Sequence, residues 1–133
     1  MNHSTIMECA AVLAAIAGLA CLFAPNQMLS LYGAPALNGP GLYNTMLYGA
    51  LLIGFAVMNW RASQGTFAAA AQVILGAFVA YALALLVSLI QQLTTPMPAA
   101  GWINVAIFAV FTVLFGYLQF GPQAGDKAVP AAG

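Results

Sequence analysis

The sequence predicts an all-α membrane protein, a polytopic four-transmembrane-helix bundle, on three observations. First, only two basic and two acidic residues occur in 133, so 3% of the chain is charged and 64% is hydrophobic. A soluble domain is typically about 25% charged, and a surface this poor in charge has lipid as its solvent. Second, the mean hydropathy is +0.98, and it is concentrated in stretches that approach the roughly 20 apolar residues needed to cross a bilayer. Third, those stretches are continuous and rich in Ala, Leu and Gly rather than alternating. Alternation is what a membrane barrel strand requires, so the backbone groups are expected to be satisfied inside helices.

The first span is expected over residues 7–24, ending where Pro25 and Asn26 interrupt helical hydrogen bonding. Gln27 to Gly33 reads as a short helix lying in the interface and stopped by Gly33. Ala34 to Gly41, with Pro35, Asn38, Gly39 and Pro40, reads as a loop. The second span is expected over 42–60 and closes on Asn59-Trp60-Arg61, an aromatic and basic interface marker. After a tight turn at 62–66 the third and longest span covers 67–90, with length enough to tilt. Gln91 to Pro98 forms the next loop. Trp102 opens a fourth span over 102–120, and Gly121-Pro122 ends it. Residues 1–120 thus read as one transmembrane domain, and 121–133 as a flexible cytoplasmic tail.

With this layout the N-terminus, the Arg61 turn and the tail share one side. Arg61 and Lys127 both fall there, and the other loops carry no charge. The positive-inside rule then places both termini in the cytoplasm. Tyr32, Tyr43 and Trp102 mark the outer interface, and Trp60, Phe67, Tyr117 and Phe120 the inner one. Met1 to Glu8 contains no Lys or Arg, unlike a secretory leader, so the first stretch is expected to be a retained span. Cys9 and Cys21 lie about 18 Å apart on a helix, beyond the roughly 7 Å reach of a disulfide. Both read as small apolar packing residues.

Several kinds of chemistry are excluded. No Asp, Glu, Lys, Arg or His lies near a span centre, where proton relays and ion pathways place them. No basic cluster exists for nucleic acid. His3 with Glu8 and Cys9 makes a poor metal set, since a site normally takes three or four ligands. No Ser-His-Asp set can be gathered and no phosphate loop is present. No metal, cofactor or catalytic residue is therefore expected, and an enzyme is not the expected class.

Three constellations remain. Glu8 sits at the start of the first span, where its charge suits the helix dipole or reaches water; alternatively it pairs with Arg61 across helices. Lipid tails are as apolar as Leu, so helices associate through close approach and polar contacts. A stripe at four-residue spacing, Gln72 followed by the small residues Gly76, Ala80, Ala84 and Ser88, is expected to form the seam with Gly18 and Gly54, while bulky faces meet lipid. The alternative for that stripe is a homo-oligomer interface. Finally, Asn44, Tyr48 and Asn104 interrupt apolar runs. They serve as interhelical glue, or they line an outer cleft for an apolar ligand with a polar head, with Tyr43 and Trp102 as further walls.

Leu22-Phe23-Ala24-Pro25 with Leu31-Tyr32-Gly33, then Leu47-Tyr48-Gly49-Ala50-Leu51-Leu52-Ile53-Gly54 running into Trp60-Arg61-Ala62, and Gly101-Trp102 opening an aromatic last helix, resemble small bacterial four-helix membrane proteins of the DoxX-like group. The resemblance implies a four-helix bundle in the bacterial inner membrane and, for some members, an accessory role beside membrane redox enzymes. The expected function is that of an accessory or scaffold protein, packing in a membrane complex or with itself. The alternatives are a binder or transporter of lipid or a small hydrophobe using the outer cleft, and a membrane subunit of a quinone-linked oxidoreductase. The lipid bilayer is the expected partner, with other membrane subunits or a second copy beside it.

Overall fold

The computed structural model describes residues 2–94 and 99–121. It is all-α: α1 (His3–Phe23), the short α2 (Pro25–Ser30), α3 (Gly39–Ser63), α4 (Phe67–Thr94) and α5 (Gly101–Phe120), with no strand among the described residues. The four long helices each have the length and apolar content to cross a membrane, which makes this a multi-pass membrane protein. The expected tail from residue 122 onward lies outside the described residues.

Helix ends follow local chemistry. α3 begins at Gly39, three residues before the expected span, because the Asn38 side chain accepts the Gly41 N–H at 2.9 Å and Pro40 fits a first turn. The loop expected over 34–41 is shorter for the same reason. Arg61 lies within the last turn of α3, where a cation suits the dipole. α4 runs on to Thr94, past the residues expected to open the loop.

The long helices form two antiparallel pairs, α1 with α3 and α4 with α5, that touch each other less extensively. In the first pair the backbones nearly meet. A Cβ on Gly18 would stand 2.9 Å from the Gly49 carbonyl oxygen, and one on Gly49 would stand 2.8 Å from that of Gly18. Gly18 is thus in the seam, but its partner is Gly49 and not Gly54, which faces open space. Gly49, Ala56, Asn59 and Ser63 form the buried face of α3. Asn59 is wholly buried; its Nδ2 donates to the Phe55 carbonyl at 2.9 Å, and its Oδ1 has no partner among the described residues.

The second pair corrects the expected seam. Gln72, Gly76 and Ala80 lie on an exposed face of α4, Ala84 is only half-buried, and a Cβ on Gly76 would meet nothing within 4 Å. The inward face is Ala70, Ile74 and Ala77, packed against Phe111, Phe115 and Leu118 of α5. Phe111 and Phe115 of α5 are therefore core, not lipid-facing. The physical reason is complementarity: the small side chains of α4 make room for the rings, so both faces of the seam need not be small. Tyr81 continues the contact, stacked on Phe111 and Phe115 with ring centroids 4.9 and 5.6 Å away, and meets Phe55 of α3 edge-on at 5.7 Å.

The two pairs join at the end that holds the start of α1. Ile6, Met7 and Ala10 enter the same core as the α4 and α5 residues. His3 Nε2 lies 3.3 Å from the Gly65 carbonyl oxygen, and its ring stands edge-on to Phe67.

Candidate binding cavity

At the opposite end the chain between α1 and α3 is folded back over the bundle. Pro25 opens α2 directly after α1, its missing N–H costing nothing at a first turn. Gly33 closes α2 with φ 71°, the one positive φ among the described residues. The Gly33 N–H donates to the Ser30 carbonyl at 3.0 Å and the Ala34 N–H to the Leu29 carbonyl at 3.2 Å. This pair of bonds is a Schellman closure, which needs a left-handed residue where Gly33 stands. The Leu37 N–H donates to Asn26 Oδ1 at 3.0 Å and ties the following segment down. As a result Tyr32 reaches α5, where its hydroxyl donates to Asn104 Oδ1 at 3.2 Å.

Beneath this cover is a cavity of about 650 Å³. Cys21 of α1 and Met28 and Leu29 of α2 form one wall, and Asn44, Thr45 and Tyr48 of α3 another. Gly101 and Asn104 of α5 face them, and Tyr32 to Pro35 close the top. The wall is mainly apolar. The Cys21 thiol donates to Met28 Sδ at 3.6 Å, and Thr45 Oγ1 donates to the Gly41 carbonyl of its own helix at 2.9 Å. The side chains of Asn44 and Tyr48 have no hydrogen-bond partner among the described residues. Asn104 has its oxygen occupied by Tyr32, which leaves its two N–H donors.

Asn44, Tyr48 and Asn104 thus come together, and Asn44 and Asn104 line a shared cavity without bonding each other. Neither Trp102 nor Tyr43 lines it, and both are exposed away from the wall. α5 begins at Gly101, and Trp102, one residue on, points away to the outer surface while Asn104 turns in. Cys21, Met28 and Tyr32 were not legible as wall residues. The only sequence signal was the short helix itself, whose Met28 and Leu29 line the cavity.

Glu8 and Arg61 are not joined. Glu8 Oε1 accepts the Ser4 hydroxyl at 2.7 Å, one turn back on its own helix, and Arg61 is exposed beside Trp60. The alternative of an ion pair is therefore not realised, and Ser4 meets the carboxylate locally at the helix start. Among the described residues no three His, Cys, Asp or Glu side chains gather.

No protein-family model, curated protein or solved structure matches the chain. Its residues and their geometry carry the functional reading.

Proposed function

We propose that this membrane protein binds a lipid or other small amphiphile in the cavity beneath α2. The carrying observation is the cavity: about 650 Å³, largely apolar, with Asn44, Tyr48 and Asn104 placed around it. Sites for small ligands have volumes of about 300–1,000 Å³ and combine an apolar lining with few polar groups. We place the protein in the bacterial inner membrane by its DoxX-like outline. Arg61 and Lys127 put both termini in the cytoplasm, so the cavity belongs to the outer leaflet. Cys21 is itself buried, so a cysteine placed at Thr45, a partly exposed wall position, reports occupancy. In a Cys9→Ser/Cys21→Ser/Thr45→Cys protein held in phosphatidylcholine nanodiscs, at least one of three C16 amphiphiles, with a neutral, an anionic or a cationic head, slows alkylation at position 45 by N-ethylmaleimide several-fold. Unchanged alkylation with all three removes the binding reading.

A second reading is favoured by the outer faces of α3 and α4. Gly54, Gly76 and Ala80 are exposed, and small residues allow another helix to approach closely. That supports an accessory or scaffold role beside a further membrane subunit or a second copy. Cross-linking from the native membrane through a Gly76→Cys variant tests it. Labelling by lipid probes alone would count against it.

A further inference from the structure

The binding reading says that the cavity is filled, and the chemistry of its wall says with what. We infer that it selects an uncharged lipid whose head carries a hydrogen-bond-accepting oxygen, such as an ester, ketone or hydroxyl, and rejects anionic and cationic heads. This inference rests on the binding reading and sharpens it.

Two features carry it. The first is electrostatic. From Cys9 to Trp60, and again from Ala62 to Gly125, the chain contains no Asp, Glu, Lys, Arg or His. That covers every wall residue and both loops at this end. Glu8 and Arg61 stand 13 positions along their helices from Cys21 and Tyr48, about 20 Å away at 1.5 Å per residue. The cavity is open to the surface on the side of Asn44 and Tyr48, and an ionised head drawn into it finds no counter-charge to offset whatever hydration it loses. Helix ends do not replace a counter-charge. The N-terminus of α3 lies beside the C-terminus of α1, and that of α5 beside the C-terminus of α4, so their partial charges oppose each other.

The second feature is the balance of donors. Tyr32 occupies the Asn104 oxygen and so turns the amide into a donor toward the cavity. The Tyr48 hydroxyl and the Asn44 amide, on exposed residues at the cavity's edge, add three further N–H and O–H donors against two acceptor oxygens, all without partners among the described residues. A donor that a bound chain covers is left unpaired by an alkane and satisfied by an oxygen. Tyr32 is then a positioning residue: it fixes which end of the Asn104 amide the ligand meets.

The alkylation assay decides the matter with named probes. Hexadecyl acetate, hexadecyl sulfate and hexadecyltrimethylammonium share one chain and differ in head charge. At equal low mole fraction in the nanodiscs, hexadecyl acetate slows alkylation of the Thr45→Cys reporter at least fivefold, and the two charged probes change it less than twofold. An Asn104→Leu variant loses most of the protection by hexadecyl acetate, and Asn44→Ala loses part of it. Comparable protection by a charged probe overturns the selectivity and leaves the cavity a binding site. Protection by hexadecyl acetate that survives both substitutions overturns the role of the donors. Absence of protection by all three removes the inference together with the binding reading.

Discussion

The α1–α3 contact makes the sharpest quantitative prediction, at Gly49. A methyl there would stand 2.8 Å from the Gly18 carbonyl oxygen, 2.8 Å from Cys21 Cβ and 3.0 Å from the Leu22 backbone nitrogen. None of these atoms moves by a rotamer change, so the helices themselves must part. Ordinary carbon contacts lie near 3.5 Å, which sets the local separation at roughly 0.7 Å. Overpacking of this kind costs about 1–3 kcal/mol. Removing a helical glycine returns about 0.5–1 kcal/mol. Gly49→Ala is therefore destabilised by about 1–2 kcal/mol, or roughly 5–30-fold in the unfolding equilibrium. Gly76→Ala is the control: its methyl meets nothing within 4 Å, so only the conformational gain remains and stability rises slightly. Titration with sodium dodecyl sulfate in mixed micelles, followed by far-ultraviolet circular dichroism, reads both. Gly18→Ala adds a second arm, because its methyl would lie 2.9 Å from the Gly49 oxygen. Once one substitution has parted the helices the second costs less, so the double variant is sub-additive. Equal stability of Gly49→Ala and Gly76→Ala, or additive losses at Gly18 and Gly49, would refute the close approach.

Two further outcomes follow from the packing. Phe115 is fully buried between α4 and α5, and Val113 is 70% exposed; Phe115→Ala should lose at least about 2 kcal/mol in the same titration and Val113→Ala under about 0.5 kcal/mol. A reversed order would put the α5 rings back in lipid. Glu8→Gln and Arg61→Gln should combine additively within about 0.5 kcal/mol, since Ser4 and not Arg61 meets the carboxylate. A larger coupling would restore the ion pair.

Helices were legible because each apolar run is punctuated by residues with a mechanism. Pro25 separates α1 from α2, Gly33 supplies the left-handed turn, and Asn38 with Pro40 starts α3. Helix faces were not legible. In water one stripe is apolar and the other polar, but lipid removes that contrast. α3 carries both Gly49 and Gly54, and nothing local distinguishes the glycine that meets Gly18 from the one that faces outward. The stripe through Gly76 was regular in spacing, yet Phe111 and Phe115 chose the Ala70–Ile74–Ala77 face, because rings need recesses rather than a flat groove. The cavity was legible in part. Asn44, Tyr48 and Asn104 stand out as polar residues in apolar runs, while Met28 and Tyr32 depend on how a short connecting helix folds back.

The bundle's division into two hairpins has a bearing on its biosynthesis. α1 to α3 leave the ribosome as a contiguous unit with their glycine crossing complete, and α4 with α5 follow as another. The cavity proposed to hold a lipid exists in neither half, because Cys21 and Tyr48 come from the first and Asn104 from the second. It is built only when the halves dock, so a lipid that prefers the finished chamber adds its binding energy to that last step. On that proposal, membrane composition is an ingredient of assembly as well as its solvent.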